Sequence, residues 1–493
     1  MTKIYKRLIW LALAILGLSL NINAQGYSGG SGTTADPYQI ANKADLKYLC
    51  EHSGDWNKHF KQTTDISFDV GDYSPGGDFY NDGKGFSPIG TSSVPFRGSY
   101  NGNGHTITYL YINRPEQNYI GMFGYVIMND IDGIRNLTLT DVGIIGKFYV
   151  GGLIGDMVSG TISRCSVSSG SMVRISGIYC VGGLAGIFYD GQIQHCEVDA
   201  NVWGSSNVGG LIGYFAGYIG NNSTEIYECR SSGTISGEEH VGGLAGYSKG
   251  AIINKSFSSG SVVAYNCVGG FIGSIDQVTI SDSYATGDVV SKSGTGVSFG
   301  SFIGKMENGG VNRCYSTGGV SGNGWSPTDK GFLGEYVSGT LTGNYWDTQT
   351  SGQSSSAGQG AGQLEGKTTA EMKQQPTFVN WNFNNIWAIN PLHNDGYPHL
   401  QWEYCTNPAE GGTIADSQTI CSGSIPEPII SLTTPAGHSG VIEYKWQFSV
   451  TSESENFEDI ISSNTMGYAP GVLNQTTWYR RLARVDCMAD WSG

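Results

Sequence analysis

Basic residues are scarce in this sequence. Twenty-seven Lys and Arg face 42 Asp and Glu in 493 residues, for a formal charge of −15. A chain this acidic is not drawn electrostatically to nucleic acid or to anionic membrane surfaces. Long apolar runs are missing as well. The run over residues 8–20 has 13 residues, short of the ~20 that a membrane-crossing helix needs. Histidine is sparse, and the eight (His52, His59, His105, His195, His240, His393, His399 and His438) form no His-Glu-x-x-His pair. The sequence therefore lacks the helix-borne zinc site of many metallopeptidases. No catalytic, cofactor-binding or metal-binding motif stands out, so the expectation is a protein that is not an enzyme, with no cofactor and no metal.

The basic n-region (Lys3, Lys6, Arg7), the apolar run and small Ala24 read as a secretory signal over residues 1–24, with Ile22 an imperfect partner for an A-x-A cleavage pattern. Gln25 rather than Cys would come after the cut, which argues against a lipid anchor there. The mature chain is expected outside the cell, at the surface or secreted. Ten cysteines in such a chain permit disulfides without requiring them.

Glycine is abundant, at 75 residues, and it is periodic. The phrase Val-Gly-Gly-Leu-Ile-Gly at residues 150–155 recurs with small changes. Its final glycines fall at Gly124, Gly155, Gly186, Gly213, Gly246, Gly273, Gly304 and Gly334, spaced 27 to 33 residues with a mean of 30. A fixed period of this size marks stacked repeats. A second phrase about ten residues later ends in Cys165, Cys196, Cys229 or Cys314, and a third short strand comes after it. Three strands and three turns per repeat, wound in parallel, predict an all-β, right-handed parallel β-helix that rises about 4.8 Å per coil. Glycine would supply φ > 0 or close backbone approach at the turns.

Like residues should then stack: Leu137, Cys165, Cys196, Cys229 and Cys314 in one column, and Leu153, Leu184, Leu211, Leu244, Phe271 and Phe302 in another. Lys255 and Asp282 interrupt the first, and the cysteines read as small buried hydrophobes rather than a metal ladder.

These marks set the organisation of the chain. Residues 25–118 form the N-terminal cap and first coils, including a helix over 43–53 capped by Asn42 that lies over the end of the solenoid. Asp69, Asp72, Asp78 and Asp82 sit in a Gly-rich loop. Calcium is conceivable there, but no ligand register fits and a solvated insertion is the better reading. Residues 119–346 hold the repeats and 347–404 the C-terminal cap. In that cap Trp381, Phe383, Ile386, Trp387, Tyr397, Leu400 and Trp402 form an aromatic cluster. It reads as a plug on the solenoid, with an exposed carbohydrate platform as the alternative. Residues 405–412 are a linker. In residues 413–493, Cys421, Trp446 and Cys487 have the Cys…Trp…Cys order of an immunoglobulin-like sandwich. Cys421 and Cys487 are the candidate disulfide, and the sandwich reads as cut short.

The phrase Val-Gly-Gly-Leu-Ile-Gly with its later Gly-x-Ile-x-x-Cys resembles the GLUG repeat of bacterial surface proteins, over roughly residues 38–402. The entry Asp36-Pro37-Tyr38-Gln39-Ile40, the segment 95–107 and the exit at residues 395–402 are similar to the flanks seen in that family, and residues 412–487 to immunoglobulin-like modules of long exported proteins. The resemblance implies an adhesin-like surface protein that meets a protein or glycan ligand. GLUG repeats also accompany IgA-specific metallopeptidases, so a non-catalytic part of a larger enzyme is one alternative. A polysaccharide-acting β-helix enzyme is another, with Asp156, Asp190, Glu197 and Asp199 as the carboxylates available to it.

Overall fold

The computed structural model describes residues 26–492, apart from 129–132, 171–173, 218–223, 293–296, 323–328, 361, 439–440, 462, 486–487 and 489–490. The expected signal over residues 1–24 lies outside the described residues.

The repeats wind into a parallel β-solenoid. One coil runs through Phe148–Gly151, Ile154–Ser163, Ser166–Ser168 and Ile175–Ser176, and the next begins at Tyr179–Gly182. These stretches join parallel sheets of seven, eighteen, eleven and eight strands. The coil is more finely broken than the three strands expected, because backbone corners interrupt it at points where the sequence shows no glycine.

Register is regular: Val150 pairs with Val181, Val181 with Val208 and Val208 with Val241. The Leu153 column is continuous. The Leu153 N–H donates to Leu184 O at 3.0 Å, Leu184 to Leu211 at 2.8 Å, Leu211 to Leu244 at 2.9 Å and Leu244 to Phe271 at 2.7 Å. Phe271, Phe302 and Phe332 continue it as stacked rings 4.7 Å apart. Every member is fully buried, and each such side chain contributes about 1.5–3 kcal/mol of burial. No coil could enclose this column alone.

The motif glycines serve the second of their two expected purposes. Gly155, Gly186, Gly213, Gly246, Gly273, Gly304 and Gly334 are absent from the positive-φ glycines. The left-handed corners belong to other residues: Tyr119, Tyr149, Cys180, Asn207, His240, Cys267 and Ser298, with φ between 51° and 67°. The two sets are coupled. A Cβ on Gly213 would lie 2.5 Å from Cys180 C and Val181 N, and one on Gly273 would lie 2.5 Å from His240 C. Each left-handed corner pushes its peptide plane into the space above it, and only glycine in the next coil leaves room.

The cysteine column also differs from expectation. Ile193 pairs with Ile226 and Ile226 with Ile253, so Ser256 rather than Lys255 aligns with Cys196 and Cys229. Ser283 continues it in the same way. The column is polar in function. Its side chains donate to the carbonyl two residues back (Ser256 to Asn254 O at 2.9 Å, Ser283 to Ser281 O at 2.8 Å). They also accept the corner N–H of the preceding coil, as Ser256 Oγ does from Cys229 at 3.1 Å, Ser283 Oγ from Ser256 at 3.2 Å and Asn344 Oδ1 from Cys314 at 3.0 Å. A thiol, a hydroxyl or an amide satisfies this need, which is why the residue type varies.

The N-terminal end is covered by the helix Lys43–Glu51, which buries Leu46 and Leu49 in the main core. Asn42 caps it by accepting from the Asp45 N–H. Lys43 reaches into the acidic loop, 2.6 Å from Asp72 and 3.5 Å from Asp69. At the other end, the Gly/Ser/Gln-rich stretch around residues 350–366 closes the last coil. Leu364–Lys367 adds a strand beside Asn344–Asp347, and the Leu333 N–H donates to Ser356 Oγ at 2.9 Å.

The aromatic cluster is not a plug across that end. Met372, Phe378, Trp381, Trp387, Tyr397 and Leu400 pack against Phe257, Tyr284, Tyr315 and Tyr345, an outward column of four successive coils. The cap clamps the flank of the solenoid. Trp381 is 7% exposed and Trp387 is fully buried, with their rings tilted by 35°. This overturns the exposed coplanar platform.

In the tail, Glu458–Asp459, Ile442–Ser449 and Trp478–Val485 form a three-stranded antiparallel sheet. Trp446 is buried and donates to Thr465 O at 2.9 Å. The expected Cys421–Cys487 bridge is corrected: Cys421 is an exposed free thiol, and Cys405 is the disulfide-bonded cysteine. Cys421 lies in an exposed stretch of the tail, whereas Cys405 directly succeeds the cap. Cys487 lies outside the described residues.

Candidate functional site: the charged corner column and its cleft

A second set of left-handed corners turns each coil from the eighteen-stranded sheet into the eleven-stranded one. These positions hold Asn136, Arg164, His195, Glu228, Lys255, Asp282 and Arg313, all with φ between 46° and 53°. A left-handed conformation costs an ordinary residue roughly 1–2 kcal/mol. Contacts between coils offset that cost. His195 Nδ1 lies 3.3 Å from Glu228 Oε2, and Lys255 Nζ lies 3.4 Å from Glu228 Oε1. Arg313 grips Asp282 with two bonds, of 2.8 and 2.6 Å.

The cap uses the same column. Trp387 Nε1 donates to Asp282 Oδ1 at 3.2 Å and Trp402 Nε1 to Lys255 O at 2.8 Å. Where the cap stops, a cleft of about 280 Å³ opens, lined by His195, Glu197, Glu228, Arg230, Trp402 and Glu403 among others. Burial raises the Glu403 carboxyl to about 7, although it accepts from Tyr284 OH at 2.7 Å and from the Leu400 N–H at 2.6 Å. Burial also works against the charge on Glu228, but the adjacent His195, Tyr227 and Lys255 outweigh it and hold that carboxyl below the usual range. Arg230 and Glu197 form an ion pair across the coils.

Two carboxyl groups with separated protonation states are what acid–base chemistry requires. Here, however, each already has protein partners. Of the four carboxylates available to an enzyme, only Glu197 lines the cleft. Asp199, on the same strand, accepts from Ser232 Oγ at 2.8 Å, and Asp190 from Thr224 Oγ1 at 3.1 Å. Asp156 stands in the eighteen-stranded sheet between Tyr125 and Ile187, buried without a cationic partner and raised to about 7 by that burial. Sequence reasoning missed Glu228, Arg230 and Glu403. The one available signal was that an ionisable residue (Arg164, His195, Glu228, Lys255, Asp282 or Arg313) stands just before every Cys or Ser of the column. Among the described residues no group of three or more His, Cys, Asp or Glu is placed to hold a metal, and no helix is long and apolar enough to cross a membrane.

Fold and columns together define a parallel β-solenoid of short Gly-rich coils, clamped on one flank by an aromatic cap. The model of the GLUG motif matches residues 264–290, which include the phrase ending at Gly273. A domain of unknown function, DUF8696, matches residues 410–492. The repeats thus carry the GLUG motif.

It is 40% identical over 415 residues to a provisionally named Gly-rich membrane protein of Evansella cellulosilytica, covering 76% of this chain and 45% of that protein. It is 34% identical over 142 residues to halomucin of Haloquadratum walsbyi, covering 29% of this chain and 1% of that protein. The chain thus spans less than half the length of either relative. A crystal structure of a Bacteroides ovatus protein, provisionally described as an immunoglobulin A1 protease, is similar with a TM-score of 0.43 and 20% identity, over 76% of this chain and 95% of that one.

Proposed function

We propose that this chain is an exported, non-catalytic surface rod, adhesin-like, whose coils hold side chains in fixed columns for a protein or glycan ligand. One observation carries the reading. In the cleft that comes nearest to an active site, each carboxylate has structural work: Glu228 between His195 and Lys255, Glu197 with Arg230, and Glu403 with Tyr284 and the Leu400 N–H. Solenoids present extended faces of this kind for binding. The names of the two relatives, a Gly-rich membrane protein and halomucin, agree with a place at the cell surface. The tail, with Trp446 buried on the middle strand of an antiparallel sheet, fits an immunoglobulin-like module appended to the rod.

The test is to offer the purified chain host cells, matrix proteins and a glycan array, and a polysaccharide panel for turnover. Binding without turnover is the expected result. Failure to bind any of them sinks the reading. A polysaccharide-acting enzyme is favoured by one feature: the Glu403 carboxyl, raised to about 7, shares the cleft with Glu228, whose carboxyl is held below the usual range. Turnover that disappears in Glu403→Gln would establish it.

A further inference from the structure

On the opposite side of the cap from the charged cleft, an open groove of about 700 Å³ runs between the cap and the last coils. That is the size of ordinary small-ligand sites, 300–1,000 Å³. Its floor holds Thr286 and Thr317, each directly after the paired residues Ala285 and Ser316 of successive coils. They therefore repeat at the strand spacing of about 4.8 Å. Thr350, Thr369, Lys373, Asp395 and Tyr397 line its sides.

One buried carboxylate ties the sides of the groove together. Asp347, fully buried, accepts from Thr369 Oγ1 and Tyr397 OH at 2.7 Å each, and from the Gln349 and Thr350 N–H groups at 2.8 and 3.1 Å. The groups that face the groove are left unused. The hydroxyls of Thr286, Thr317 and Thr350 and the carboxylate of Asp395 have no partner among the described residues. Lys373 rests its ammonium 4.8 Å from the centre of the Tyr397 ring.

We propose that this groove binds a short run of neutral oligosaccharide. This rests on the surface-binding reading and gives it a place and a ligand chemistry. Pre-set hydroxyls at regular spacing, one carboxylate and one ammonium offer donors and acceptors to vicinal sugar hydroxyls. An uncharged glycan fits better than a polyanion, because the chain carries −15 and Asp395 lines the groove.

The experiment is calorimetric titration of the full chain with soluble xylo-, cello-, malto- and manno-oligosaccharides, repeated on a Thr286→Val/Thr317→Val variant. Thr350→Val, at an exposed position, is the second variant should the first fail to fold. At least one sugar should bind the parent chain. Each variant should bind it about tenfold more weakly or worse, with a Tm within about 2 °C of the parent. Binding that survives in the variants overturns the groove as the site while leaving a glycan-binding rod. No sugar binding, with adhesion to cells or matrix proteins intact, overturns the proposal alone. Loss of both overturns this proposal and the functional reading together.

Discussion

At the residue scale, the motif glycines make a sharp prediction because they are set by collision rather than by φ. In Gly213→Ala the new methyl would meet backbone atoms of the preceding coil, Cys180 C and Val181 N, at 2.5 Å. Backbone in a hydrogen-bonded ladder cannot step aside as a side chain can, so the cost should be about 3 kcal/mol or more. Gly54→Ala meets nothing within 4 Å and should change stability by less than about 0.5 kcal/mol. Thermal unfolding of the two variants decides. Asp156 makes a second prediction. Its carboxyl is raised to about 7 by burial, so between its ordinary range and pH 7 the folded chain keeps a proton that the unfolded chain has lost. The stability this group contributes is present at acid pH and is lost as pH rises towards 7, at up to about 1.4 kcal/mol per unit. Glu403 acts in the same direction. Tm should therefore fall between about pH 4 and 7, and Asp156→Asn should flatten that fall. A slope unchanged by the substitution would mean that the carboxyl is not protonated in the fold.

At the scale of the single coil, the Cys/Ser column explains what could and could not be read beforehand. The period, the parallel winding and the Leu column were legible because large apolar residues recur at one offset. The corners were not, because Tyr, Cys, Asn, His and Ser at positive φ carry no common signature. Lys255 looks like a break in the cysteine column when the count runs from the glycine that opens the second phrase, since Gly250 stands one residue further from the column than Gly160 and Gly191 do. Asp282 then looks like a break by the same count carried one coil on. The pairing of Ile226 with Ile253 fixes the true alignment. The cap misled for a different reason: an aromatic-rich segment looks the same whether it covers an end or a side, and only the outward rings of Phe257, Tyr284, Tyr315 and Tyr345 tell which. The column's polar role can be checked directly. Ser283→Ala removes the acceptor for the buried Ser256 N–H and should cost about 1–3 kcal/mol, whereas Ser283→Cys keeps an acceptor and should cost less. Equal losses in the two would make the column a packing position after all.

At the scale of the whole molecule, stability in a solenoid is a sum of coil and interface contributions, so anything that ties several coils together breaks the uniformity of the stack. The cap does this over residues 255–347. Trp402 bonds Lys255 O, Trp387 bonds Asp282, Tyr315 OH donates to Pro398 O and Tyr397 OH to Asp347. One segment therefore grips four coils, while the earlier coils of His195 and Arg230 merely share the cleft with Trp402 and Glu403. Opening a clamped coil must also break an aromatic contact, and opening an unclamped one need not. Amide hydrogen exchange should show the later coils protected more strongly than the earlier ones, although the backbone ladders are alike. Trp387→Ala empties the centre of the clamp, a fully buried indole that bonds the corner carboxylate. It should cost about 3–5 kcal/mol, and the loss of protection should appear across residues 257–345 together rather than at residue 282 alone. Protection that falls only in the coil touching the indole would mean the cap is four independent contacts. Protection that falls throughout would make it the single brace that divides this rod into a stiff half and a looser one.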